Sequence, residues 1–179
     1  MPRLFRKDTH QDTAHSLYVL LVEQARRPEF YRDLGVPDTL DGRFDMIALH
    51  AYLVMRRLKG AGDVGPALAQ AVFDIMFGDF DQSLREMGVG DLGVGKRIKI
   101  MAAAFYGRVA AYDEGLSGGR ARLMEAVSRN LFGTTTPDPA HIDAIAGYIE
   151  RESSDLAKWP DERLLAGDIA FGAPSGAQS

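Results

Sequence analysis

A chain of 179 residues with 46% hydrophobic content is long enough to bury one good core and too apolar to be disordered over most of its length. Its net charge of −4 lacks the basic balance of a nucleic-acid binder, and the absence of cysteine removes disulfides, thiolate metal sites and cysteine nucleophiles together. No secretory signal is evident and the apolar run Leu17 to Val22 is far short of the roughly 20 residues that cross a bilayer, so a cytoplasmic protein is expected.

Val, Ile and Thr together number only 24, and apolar positions recur at helical rather than alternating steps, so the expected fold is all-α: a compact irregular bundle of about six or seven helices. Residues 1–12 read as a flexible basic arm. Its opening, Met1-Pro2-Arg3-Leu4-Phe5-Arg6-Lys7, joins three cations to two apolar side chains, a pattern suited to weak attraction to an anionic membrane surface. A single helical domain is expected over 13–171. Its first helix runs from about Thr13 to Arg26 and is stopped by Pro28. A second begins after Asp41-Gly42, with Phe44, Ile47, Ala51, Met55 and Leu58 as a stripe that Met46, Leu49 and Leu53 widen; such breadth implies a central helix. Asp63 can cap a third, which tolerates Pro66 in its first turn and runs to about Phe80. That helix is apolar nearly all round: Leu68, Val72 and Ile75 cover one side, and Phe73, Met76, Phe77 and Phe80 another. It is either buried or carries an interaction surface beside its core face.

Phe80 to Arg108 contains two overlapping nucleotide-binding patterns. Gly88, Gly90 and Gly93 spell G-x-G-x-x-G, and Gly90 to Lys96 spell G-x-x-x-x-G-K. Each needs a buried strand in front of it. Asp79 to Met87 is charged at four of nine positions, and the lysine is followed by Arg97 where a magnesium-binding hydroxyl belongs. The segment therefore reads as a glycine-rich connection: Gly88 ends a short helix and a long one begins near Gly95. Along that helix Ile98, Met101, Phe105, Val109 and Tyr112 face the core. Lys96, Arg97 and Lys99 lie off the stripe in the first turn, where the helix dipole disfavours cations, and Arg108 sits at its edge. Asp79, Asp81, Glu86 and Asp91 are the nearby anions that could offset them. The competing reading is a small helical enzyme or regulator that binds a phosphorylated small molecule at the N-terminus of the Gly95 helix.

Leu116 to Gly119 breaks the next connection, a further helix reaches about Leu131, and Asp138-Pro139 marks a strong helix start. Ile142, Ile145 and Ile149 line the core from that helix, Pro160 ends it, and Asp161 to Ala166 adds a turn or two. Residues 172–179 read as a disordered tail. Gly115 to Gly119 matches G-x-S-x-G but has no strand leading into Ser117, so it is read as an interhelical turn. His10 and His15 stand five apart and His141 is remote in sequence, which gives no metal spacing; no metal or cofactor is expected. His50, surrounded at helical steps by Met46, Ile47, Leu53 and Val54, reads as a histidine hydrogen-bonded within or at the edge of the core. Charge is uneven, with ten Lys/Arg against eight Asp/Glu over 1–60 and three against eight over 138–168.

Two blocks carry a resemblance: YRDLGVPDTLDGRFDMIALHAYLVMRRL, Tyr31 to Leu58, and FDQSLREMGVGDLGVGKRIKIMAAAFYGR, Phe80 to Arg108. Together they resemble the ubiquinol-cytochrome c chaperone family over about Thr13 to Phe132. The resemblance implies an all-helical, non-enzymatic assembly factor of respiratory complex III that holds newly made cytochrome b at the periphery of the inner membrane. Its mitochondrial members act with a small partner protein and near the ribosomal exit. It places partner contacts around His50 and the loop with Asp81, Arg85, Asp91 and Lys96. Phe73, Met76, Phe77 and Phe80 could supply apolar contact with the client, and Lys96, Arg97, Lys99 and Arg108 could set its register.

Overall fold

The computed structural model describes the backbone of residues 3–174 and side chains from residue 10 onward. The side chains of the expected membrane-attracted start and residues 175–179 of the expected tail lie outside the described residues. Described residues form eight helices, α1 (Arg3–Ala25), α2 (Pro28–Arg32), α3 (Leu40–Lys59), α4 (Gly65–Glu86), α5 (Asp91–Gly118), α6 (Arg120–Leu131), α7 (Pro139–Lys158) and α8 (Asp161–Leu165). Two of them are single turns, which leaves six long ones in an all-α bundle. α1 starts ten residues before Thr13, so residues 3–12 belong to its first turns rather than to an arm. Pro28 stops α1 as expected and also opens α2 at a position where its missing N–H costs nothing.

α3 is the hub, packing against α1, α4, α5, α6 and α7. Every residue from Asp45 to Val54 is buried. Its start is built by the Gly35 to Phe44 stretch: Thr39 caps the helix by accepting the Gly42 N–H at 3.1 Å. Gly42 is required there, because a β-carbon would lie 1.9 Å from the Pro37 carbonyl oxygen. At the other end Arg57 reaches across to α7, donating to the carbonyls of Leu156 at 2.7 Å and Trp159 at 2.6 Å and to the Asp161 carboxylate.

α4 settles the alternative posed by its apolar sequence. Met76, Phe77 and Phe80 are buried and Phe73 is half-buried. Phe73 and Phe77 lie 4.6 Å apart, both rings contact Phe105 of α5, and Phe80 meets Phe44 of α3 at 5.3 Å. α4 also runs to Glu86, beyond the expected end at Phe80. Gly88, at φ +84°, then closes it: its N–H bonds the Arg85 carbonyl and the Val89 N–H bonds that of Leu84, a Schellman turn.

α5 begins at Asp91, a turn earlier than expected, so Gly93 and Gly95 are helical and Lys96, Arg97 and Lys99 sit beyond the first turn. The dipole penalty expected for them is thereby largely relieved. None of the four candidate anions pairs with them. Asp81 and Asp91 both bind Arg85, Glu86 accepts from Gln82, and Asp79 accepts from Tyr18. The Gly95 amide lies inside the helix, and the true first turn carries the Asp91 carboxylate, so no phosphate cradle forms at Gly95.

Candidate functional site

His50 lies inside the bundle, fully buried, and is not part of a surface. Its Nδ1 is 2.8 Å from the Met46 carbonyl, which can only accept, so Nδ1 carries the proton and Nε2 accepts from the Tyr148 hydroxyl at 2.8 Å. Tyr148 in turn accepts from Gln24 Nε2 at 2.9 Å, and Gln24 also donates to the Gly172 carbonyl at 2.8 Å. Burial pushes the imidazole down to about 4, against a smaller upward pull from Met46, so it is neutral at physiological pH. This network joins α1, α3 and α7 to the C-terminal segment. There Glu152 accepts the Gly172 N–H at 2.9 Å, Arg151 donates to the Ala173 carbonyl at 2.6 Å, and Phe171 stands edge-on to the His50 ring at 5.3 Å. The first residues of the expected tail are therefore tied down.

The open site is a groove of about 690 Å³ bounded by the start of α3, the second half of α4, the first half of α5 and the end of α6. Phe44, Ile47, Phe80, Leu84 and Met101 form its apolar wall. Leu40, Met87 and Ile100 stand on its rim at 69%, 52% and 59% exposure, unusual values for large apolar side chains. Arg26, Arg97 and Arg129 also line it without an ion pair among the described residues, while Arg43 pairs with Asp38. Five arginines thus face three aspartates, Asp41, Asp45 and Asp79, so the groove is cationic in a chain whose overall charge is negative.

At its floor Arg108 Nη2 lies 2.6 Å from Asp45 Oδ1, and the guanidinium covers the Phe44 ring at 5.4 Å. The pair is close but poorly aligned: Asp45 Oδ1 and Arg108 Nε have no partner of hydrogen-bond geometry, a condition shared by Tyr112 OH and Asn130 Nδ2. Burial raises the Asp45 carboxyl to about 6 although Arg108 pulls it down. Such incompletely satisfied groups are costly in a core and are a frequent property of surfaces shaped for a partner.

Of the residues expected to contact a partner, the groove brings together Phe80, Arg97 and Arg108. Met76 and Phe77 lie in the core, and Phe73 stacks on Tyr106 at 5.6 Å. Asp81, Arg85 and Asp91 form one ion cluster that fastens α4 to α5. Lys96 and Lys99 are exposed and lie outside the groove. Leu40, Phe44, Asp45, Met87, Ile100 and Arg129 were not singled out as contacts by their spacing. A signal was present for the first two: they fall in the Tyr31 to Leu58 block that carries the family resemblance, and seven of its ten residues from Gly35 to Phe44 line the groove. Among the described residues no group of three or more His, Asp or Glu side chains is placed to hold a metal ion.

Comparison with known proteins gives a consistent answer. The family model described as ubiquinol-cytochrome C chaperone matches residues 32–171, more than three quarters of the chain. The chain is similar to the ubiquinol-cytochrome-c reductase complex assembly factor 1 of Xenopus laevis, with 26% identity over 95% of this chain and 86% of that one. It is also similar to the human protein of that name, with 28% identity over 87% of this chain and 52% of that one, so it spans about half the human protein's length. Among solved structures, the Cbp3 homolog from Brucella abortus superposes with a TM-score of 0.85 at 37% identity, covering 96% of both chains. The chain belongs to the ubiquinol-cytochrome c chaperone family.

Proposed function

We propose that the protein is a non-enzymatic assembly chaperone of the ubiquinol-cytochrome c oxidoreductase complex, that its client is newly made cytochrome b, and that the client docks in the groove. The relatives' names supply the complex: they are assembly factors of ubiquinol-cytochrome c reductase. The observation that carries the docking surface is the rim, where Leu40, Met87 and Ile100 are exposed beside arginines that pair with no carboxylate among the described residues. Apolar rim residues offer the client area that it would otherwise expose to water, and unpaired guanidiniums fix its register.

Deletion of the gene should lower the b-type haem signal of complex III in reduced-minus-oxidised membrane spectra and leave unrelated respiratory enzymes unchanged. Tagged wild-type protein should recover cytochrome b from cells, and Ile100→Glu or Arg97→Glu should recover at least about tenfold less, the equivalent of 1.4 kcal/mol of lost contact. Both positions are exposed, so the fold tolerates the change. Failure of wild type to recover any cytochrome b removes the client; full recovery by both variants removes the groove. The same recovered material shows whether a small partner protein or ribosomal subunits accompany the client.

A further inference from the structure

We propose that the α4–α5 turn is a docking tip for an anionic phospholipid surface, adjoining the groove but centred on residues outside it. Leu92 is the most exposed large apolar residue of the described chain, at 94%. Lys96 and Lys99 follow it at steps of four and three on α5, so all three project from one exposed face of the helix. Met87, just across the turn and also on the groove's rim, adds a second apolar side chain where the tip and the groove adjoin.

The local charge balance favours an anionic partner. Lys96, Arg97 and Lys99 have no ion pair among the described residues, while one guanidinium, that of Arg85, is shared by the nearby carboxylates of Asp81 and Asp91. With Glu86, hydrogen-bonded to Gln82, the turn carries three anions against four cations, and the unpaired Lys96 and Lys99 stand beside Leu92. Shape distinguishes a bilayer from a protein partner. A side chain as exposed as Leu92 stands clear of the protein surface and forms no wall of a pocket, whereas the groove beside it is concave. Apolar side chains at a tip with lysines immediately behind suit a headgroup layer, where the apolar ends reach the acyl boundary and the ammonium groups meet phosphate. No helix among the described residues is long and apolar enough to cross a membrane, so the contact is peripheral. The Schellman turn at Gly88 holds the tip in shape and accounts for that glycine, which the phosphate patterns do not.

Leu92, Lys96 and Lys99 do not line the groove, which makes this contact testable independently of client binding. The full chain is sedimented with phosphatidylcholine vesicles with and without phosphatidylglycerol, at low and high salt. Wild type should pellet only with the anionic vesicles and be released by salt, since screening shortens the reach of surface charge. Leu92→Glu and the double variant K96E/K99E should each reduce the pelleted fraction by about tenfold or more while melting near the wild-type temperature. Equal pelleting of wild type with both vesicle types, or undiminished pelleting of either variant, overturns the proposal.

Discussion

Gly42 and Gly107 are both helical glycines with opposite surroundings. A β-carbon at Gly42 would lie 1.9 Å from the Pro37 carbonyl oxygen, and that backbone also receives the Thr39 cap; nothing lies within 4 Å of one at Gly107. Gly42→Ala should therefore destabilise by about 1–3 kcal/mol through overpacking, whereas Gly107→Ala should stabilise by up to about 1 kcal/mol by removing backbone entropy from the unfolded chain. Urea midpoints check both signs. Acid titration separates two buried groups in the same way. His50 stays neutral to about pH 4 when folded but takes a proton near 6.5 when unfolded, so its contribution weakens stability as pH falls through that window. Asp45 has the opposite sign: the folded carboxyl binds its proton from about pH 6, the unfolded one only near 3.8, so stability gains as pH falls between them. Each term is on the order of 3 kcal/mol, and in wild type they largely cancel. Relative to wild type, His50→Gln should gain stability between pH 6 and 4 and Asp45→Asn should lose it; parallel curves would refute the assignment.

At the scale of helices, α3 and α7 were legible because their signals are local. Broad apolar spacing announced a central helix, and Asp138 followed by Pro139 announced a start that the structure builds with Asp138 accepting from the Ala140 N–H at 2.8 Å. The boundary between α4 and α5 was not legible in the same way. Several glycines in nine residues suggested a long break, yet only Gly88 takes positive φ there. Glycine costs a helix about 1 kcal/mol per position, which packing of α5 against α4 and α6 can outweigh. The groove was legible only in part, since spacing shows that a face is apolar but not which neighbour covers it. Hence the core absorbed Met76 and Phe77, and the Asp45–Arg108 pair, formed between residues distant in sequence, left no local trace. Arg57 is another long-range device, with three acceptors at the end of α7 and the start of α8. Its side chain is 12% exposed, so Arg57→Ala should leave carbonyls poorly satisfied, lower stability by about 2–3 kcal/mol and speed hydrogen exchange in α8 before the rest of the bundle.

Over the whole molecule, helices adjacent in the chain supply much of the packing, and the C-terminal segment is laid across elements formed much earlier in sequence. Gln24, Arg151 and Glu152 hold that segment through a few polar contacts, supplemented by buried Ile169 and half-buried Phe171. Local stability should therefore be lowest there among the tied-down parts. The chain has one tryptophan, and its indole is placed at this segment: Trp159 Nε1 donates to the Asp168 carbonyl at 2.7 Å, and the Arg163 guanidinium covers the ring at 4.6 Å. Intrinsic emission is consequently a gauge of the docked C-terminal segment rather than of the bundle. In a urea titration the emission change should precede the loss of helical ellipticity, giving an optical readout of the segment's release in a protein that needs no attached label.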